Sequence, residues 1–208
     1  MKQNRDEFDH ILEAVETFRA GVDELGVQYS QEVEERNVNG VPSDWDFVLE
    51  AEWYAAQVGE MADTMLARVN EQLSALADRL AAWQTKAPAD SSLLAYLLAI
   101  RTAGLPLTSA QCKALEARAA GNYLALVLLE PMSGGFVTAP DVHRLEFDLG
   151  AIRTAATGLI KYRGKDDTLA EVCGCTQNAV ASAARARGSM DSFAQRIIEP
   201  TKTRWAHI

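Results

Sequence analysis

Between Phe8 and Tyr29 the apolar residues fall on a 3.5-residue repeat, and this spacing constrains the chain more than any other feature. Phe8, Val15, Val22 and Tyr29 lie seven apart, with Ile11, Phe18 and Leu25 between them at steps of three and four. Only a helix brings residues so spaced onto one side; an extended strand would divide them between two faces. The intervening positions are mostly Glu, Asp, Gln and Arg, which gives the helix a solvated back. Such a seam must be covered, by a second helix of the chain or by another molecule. Gly21 and Gly26 lower helix propensity within it.

The segment "NVNGVPSDWD" interrupts this pattern with turn chemistry at Asn39-Gly40 and Pro42. Ser43 with Asp46 three residues on resembles a capping box, so a second helix is expected to start here and run to about residue 84. Its apolar stripe is Val58, Ala62, Met65, Val69, Leu73, Leu76, Leu80 and Trp83. Two long amphipathic helices joined by a short loop predict an antiparallel hairpin. Ala51, Ala55, Ala56 and Gly59 would permit close approach.

The remainder also reads as helix. "LLAYLLAIRTAG" ends at Gly104, "LTSAQCKALEARAA" begins at a Thr108 or Ser109 cap, and "GNYLALVLLEPM" keeps helical character up to Pro131. Val142, Leu145, Leu149, Ile152, Ala156 and Ile160 carry helical spacing beyond the loop "SGGFVTAP". No segment alternates with a period of two. The expected fold class is all-α: a long antiparallel, coiled-coil-like hairpin over 1–86, then a compact helical bundle over 87–208.

Charge follows the same division. Residues 1–86 carry 18 acidic and 7 basic side chains, residues 87–149 carry 6 and 4, and residues 150–208 carry 5 and 9, for a total of −9. The acidic arm should repel nucleic acid, while the C-terminal region tolerates it better. "LLAYLLAI" and "YLALVLL" are too short to span a bilayer, and the polar start "MKQNRDEFDH" is unlike a secretory signal. Cys112, Cys173 and Cys175 make an odd count without framework spacing, which fits reduced thiols in a cytosolic protein.

Residues 166–188, "DDTLAEVCGCTQNAVASAARARG", predict a helix–turn–helix-like corner. Thr168 with Glu171 forms a capping box, Gly174 stops the first helix, Thr176 caps the second and Gly188 ends it. Ala170, Gly174 and Val180 stand where a DNA-reading unit needs a small residue, a turn glycine and an apolar residue. On that reading Gln177, Asn178 and Ser182 would face bases, and Arg185 and Arg187 would face phosphates. Against it, the second helix is mostly alanine and offers few phosphate contacts.

Other chemistry is sparse. Cys173 and Cys175 form a Cys-x-Cys pair without further zinc ligands, and Cys112, His143 and His207 fit no ligand spacing. His10 lies in the acidic coil, no nucleophile–base–acid pattern emerges, and "SGGF" lacks the Lys-Ser/Thr of a phosphate loop. Trp45, Trp53, Trp83 and Trp205 read as core or interface anchors. No catalytic residue, metal or cofactor is expected.

The layout of an acidic coil, Phe8 to Tyr29, followed by the Leu/Ala-rich run Leu107 to Leu129 resembles small helical proteins encoded near the capsid gene of tailed phages and prophages. The resemblance is architectural and covers roughly residues 5–130. It implies a non-enzymatic phage head structural or assembly protein in the host cytoplasm or the virion. Its contacts, with itself or with capsid proteins, would run through the seam Phe8, Ile11, Val15, Phe18, Val22, Leu25 and Tyr29. The alternative is a DNA-binding protein that dimerises through this coil, with no membrane in either case.

Overall fold

The structure is a computed structural model that describes residues 6–39, 44–87, 91–160 and 168–198, with side chains at 6–36, 52–87, 91–159 and 176–197. Among the described residues the helices are α1 (Glu7–Asn39), α2 (Asp44–Thr85), α3 (Ser91–Ala103), α4 (Ser109–Ala119), α5 (Tyr123–Leu129), α6 (Val142–Ile160) and α7 (Thr168–Ile198), with a 3-10 turn at Glu130–Met132. No strand occurs among the described residues, and the fold is all-α. None of these helices is long and apolar enough to cross a membrane. The predicted cap at Ser43 lies outside the described residues.

The chain forms two compact units: Met1–Ala75 with Phe147–Arg187, and Leu76–Glu146 with Gly188–Ile208. Each draws on segments far apart in sequence, so this division differs from the expected one at residue 86. The helices α2, α6 and α7 each contribute to both units.

In the first unit α1 and α2 run antiparallel. Tyr29 meets Tyr54 edge-on with ring centroids 4.9 Å apart. Further toward the N-terminus Gly21 faces Met61, and Ala14, Thr17 and Phe18 share a cleft with Met61, Thr64, Met65 and Arg68. Further still, His10 and Glu13 share a cleft with Glu71 and Gln72. Each step back along α1 is thus matched by a step forward along α2. Gly21 has a specific use here, since a Cβ at that position would lie 2.7 Å from Met61 Sδ. Its low helix propensity is offset by letting the thioether lie against the α1 backbone. Arg153 Nε of α6 donates to Asn70 Oδ1 of α2 at 3.2 Å. Leu149, Ile152, Ala156 and Leu159 form the buried stripe of this part of α6, and the side chain of Ile160, expected in it, lies outside the described residues.

The second unit is built around Leu93, Leu97, Cys112, Leu115, Ala119, Ala125, Leu126, Leu129 and Val137. Gly104 closes α3 at φ 63°, its N–H donating to Arg101 O and the Leu105 N–H to Ile100 O, which is the Schellman arrangement. Thr108 caps α4: its hydroxyl accepts from the Gln111 N–H, while Gln111 Oε1 accepts from the Thr108 N–H. The expected continuous helix up to Pro131 is instead broken at Gly121, where φ is 80°. Asn122 then restarts the chain as α5, its Oδ1 accepting from the Ala125 N–H and its Nδ2 donating to the Lys86 carbonyl. After the 3-10 turn, buried Ser133 accepts from the Val137 N–H at 2.9 Å. That bond folds the Gly134-Gly135 turn so that Val137 enters the core and Phe136 faces out.

The predicted corner at 166–188 is corrected. Residues 168–198 form one uninterrupted helix through both Gly174 and Gly188, and Thr176, expected as a cap, is a buried interior position. At Gly188 the reason is a stripe that runs straight past the glycine. Thr176, Ala179, Ala183, Ala186, Met190, Phe193 and Ile197 recur at alternating steps of three and four, and all are buried. Burying such a stripe outweighs the roughly 1 kcal/mol that an interior glycine costs relative to alanine.

This gives a discriminating prediction. Gly188 lacks a positive φ, and a Cβ there meets nothing within 4 Å. Gly188→Ala should therefore stabilise the protein by about 0.5–1 kcal/mol. Gly121→Ala, at φ 80°, should destabilise it by about 1 kcal/mol. Chemical denaturation of both variants checks the pair; a destabilised Gly188→Ala protein would mean that the helix ends there.

Candidate functional site

The expected oligomerisation seam is filled within the chain. Phe8, Ile11, Val15, Phe18 and Val22 are buried, and only Leu25 and Tyr29, near the far end, are half-buried. In this single chain the covering face is α2, through Met61, Met65 and the neighbouring stripe. The seam leaves little apolar surface for another molecule.

The five candidate DNA contacts do not share a face. Gln177, Asn178 and Arg185 are exposed on α7, but Ser182 is buried. The Ser182 hydroxyl accepts from Arg185 Nη2 at 3.0 Å. Arg187 is committed elsewhere: its Nη2 bonds to Asp6 Oδ1 and, at 2.6 Å, to Asp9 Oδ1. Its guanidinium carbon lies 5.6 Å from the centroid of the Phe8 ring. Asp6 and Asp9 also cap α1 reciprocally, the Asp9 N–H donating to Asp6 Oδ1 and the Asp6 N–H to Asp9 Oδ2. One arginine thus ties α7 to the first turn of α1, where the helix dipole favours the two carboxylates. Those hydrogen bonds, from Asp9 first and then Asp6, hold the Arg187 guanidinium above its already high range. Its Nε is buried and has no hydrogen-bond partner among the described residues. Nothing in the sequence pairs residues 181 positions apart, so this clamp is visible only in the fold.

A second cluster lies in the other unit. Phe193 stacks on Trp83 at 5.7 Å between centroids and meets Tyr123 at 5.8 Å. Burial first, and then the carboxylates of Glu146, Asp141 and Glu130, push the Tyr123 phenol up from its ordinary range. Arg196 Nη2 donates to the Thr138 carbonyl at 3.0 Å and pins the loop beside α7. The expectation for Trp83 as a core or interface anchor matches this stack.

Reactive groups are not gathered among the described residues. Cys112 is buried in α4, and burial, followed by the charge of Glu116, pushes its thiol up and away from the reactive thiolate. His143 is exposed on α6 beside Glu146 at 3.6 Å. No group of three or more His, Cys, Asp or Glu side chains is placed to hold a metal among the described residues. The side chains of Cys173, Cys175 and His207 lie outside the described residues.

The surface that stands out is the outer side of α3. The helix packs through Leu93, Leu97 and Ile100. Its opposite side carries Ala95, Tyr96, Leu98, Ala99, Thr102 and Ala103, all exposed. Tyr96 is 48% exposed, Leu98 50% and, just past the helix, Leu105 57%. From Ser91 to Leu107 the only charged residue is Arg101. A helix apolar on every side belongs inside a protein or against a partner. The signal was present in "LLAYLLAIRTAG", which has no polar stripe, but periodicity alone does not say which side is covered. No family model, curated protein or solved structure matches the chain.

Two predictions follow from the charged groups. Arg187→Met should cost roughly 1 kcal/mol, since the pairs are more than a third exposed and partly screened. The loss should shrink with added salt, and thermal melting at low and high ionic strength measures it. For Tyr123 the folded-state pKa lies above the ordinary tyrosine value of 10.0, so its contribution is complete below about pH 10 and is lost as pH rises through the folded value. Tyr123→Phe should then show a shallower alkaline loss of stability than wild type, read from denaturation midpoints across that window.

Proposed function

We propose that this protein is a non-enzymatic structural or assembly protein of a phage or prophage head, acting through helix-to-helix protein contacts. The observation that carries the contact part is the outer side of α3, where Tyr96, Leu98 and Leu105 are exposed on a stretch with one charge in seventeen residues. Soluble domains rarely leave a continuous apolar helix side uncovered without a partner for it. The phage assignment rests on the architectural resemblance of the acidic coil and the Leu/Ala-rich run. Because the Phe8–Val22 seam is filled within the chain, the docking role moves from α1 to α3. The seam's task is then to build the unit that carries the acidic surface. Gln177 and Asn178 remain exposed, but no observation groups them with free basic side chains into a DNA-reading face.

Co-expression with the capsid protein encoded by the same phage or prophage tests the assignment. The expected result is co-sedimentation with procapsids or mature particles, reduced by Leu98→Glu. Absence from every particle class would sink the head-assembly reading.

A further inference from the structure

We infer that Met61 is a site of reversible oxidation by hydrogen peroxide, and that its sulfoxide releases the second half of α1 from α2.

The thioether is within reach of small solutes. Between α1 and α2 lies a cleft of about 250 Å³ with Phe18, Met61 and Met65 on its walls. Thr17, Thr64 and Arg68 along the same cleft are exposed, so it opens to water. Met61 is half-buried there, whereas Met65 and Met190 are only 2% and 3% exposed. Hydrogen peroxide carries no charge, so the carboxylates of this arm do not keep it out. A sulfur lone pair attacks one peroxide oxygen, the O–O bond breaks and an S–O bond forms. The proton of that oxygen passes to the departing hydroxide, which leaves as water. Two electrons have then moved from sulfur to peroxide.

Gly21 decides what the new oxygen does. A Cβ at that position would lie 2.7 Å from Met61 Sδ, so no α1 side chain stands between the sulfur and the helix backbone. Residue 21 is interior to α1, where backbone N–H groups already bond to carbonyls one turn back. The sulfoxide oxygen finds no donor on that surface, and leaving it dry is costly. Water in the cleft satisfies it, so the side chain swings outward and the contact over Gly21 is lost.

The two halves of α1 are held unequally. Toward the N-terminus Phe8, Ile11, Val15 and Phe18 are buried, and Arg187 binds Asp6 and Asp9. Beyond Val22 the seam residues Leu25 and Tyr29 are only half-buried, and Val27 is exposed. Gly21 and Gly26 are also poor helix formers in this stretch. Loss of the Met61 contact therefore frees residues 21–36 and leaves 8–18 in place, a local opening distinct from global unfolding.

The test treats the full-length protein with graded hydrogen peroxide. Peptide mapping by mass spectrometry should find sulfoxide at Met61 before Met65 or Met190. Amide hydrogen exchange over 21–36 should then quicken by about tenfold or more, with exchange over 8–18 unchanged. Met61→Leu nearly conserves volume and keeps the other four methionines, so peroxide should leave its exchange over 21–36 unaltered. Sulfoxide reductases for both epimers should restore protection in the wild type, a readout that stands even if Met61→Leu folds poorly. Oxidation of Met65 or Met190 as fast as Met61 would overturn the inference. So would unchanged exchange over 21–36 in the Met61 sulfoxide, an equal rise over 8–18, the same response in Met61→Leu, or no recovery after reduction.

Discussion

Burial of the α1 seam against α2 is the contact on which the first unit depends. Five large or medium apolar side chains, Phe8, Ile11, Val15, Phe18 and Val22, leave water along a single line. Each contributes on the order of 1.5–3 kcal/mol. Without that term a helix as acidic as α1 would have little reason to persist, because its back is charged and its interior holds Gly21 and Gly26. The polar ties work inside this frame. Arg187 clamps the first turn of α1 and Arg153 joins α6 to Asn70 of α2. Such bonds set which faces meet, while the apolar line supplies most of the free energy.

Much of this was legible in the residues. The 3.5-residue spacing identifies α1 and its buried face, and the α2 stripe reappears as buried Ala62, Met65, Val69, Leu73, Leu76 and Leu80. The caps around Thr108 and the stop at Gly104 also follow from local chemistry. The helix through Gly174 and Gly188 departs from the glycine stops that local chemistry suggests, and at Gly188 the cause is the sevenfold recurrence from Thr176 to Ile197, which continues through it. Alanine at three of those positions made the stripe easy to overlook, since alanine suits the surface and the core equally. The reverse error occurred at Gly121, where strong helical composition on both sides concealed a real break.

What the sequence could not provide was long-range pairing. Arg187 looks like a phosphate contact when read beside Arg185; in the fold it belongs to Asp6 and Asp9. Ser182 looks like a base reader and is instead buried beneath Arg185. The candidate recognition set thus separates along the helical repeat, with Thr176, Ala179, Ser182 and Ala183 turned inward and Gln177 and Asn178 outward. The α3 side reads the other way. Its composition is plain in the sequence, and only the packing of Leu93, Leu97 and Ile100 shows that the remaining apolar side is left over.

The interleaving of the two units has a consequence for synthesis. The first needs Phe147–Arg187 and the second needs Gly188 onward, so neither is complete until the last helix has left the ribosome. The amino-terminal hairpin must wait with part of its walls missing while about a hundred further residues, from Thr85 to Arg187, are translated. At roughly 5–20 residues per second that interval lasts several seconds or more, long compared with helix formation. The density of carboxylates on the early helices then has a second use, as a solubilising coat for a nascent chain that cannot yet close its core.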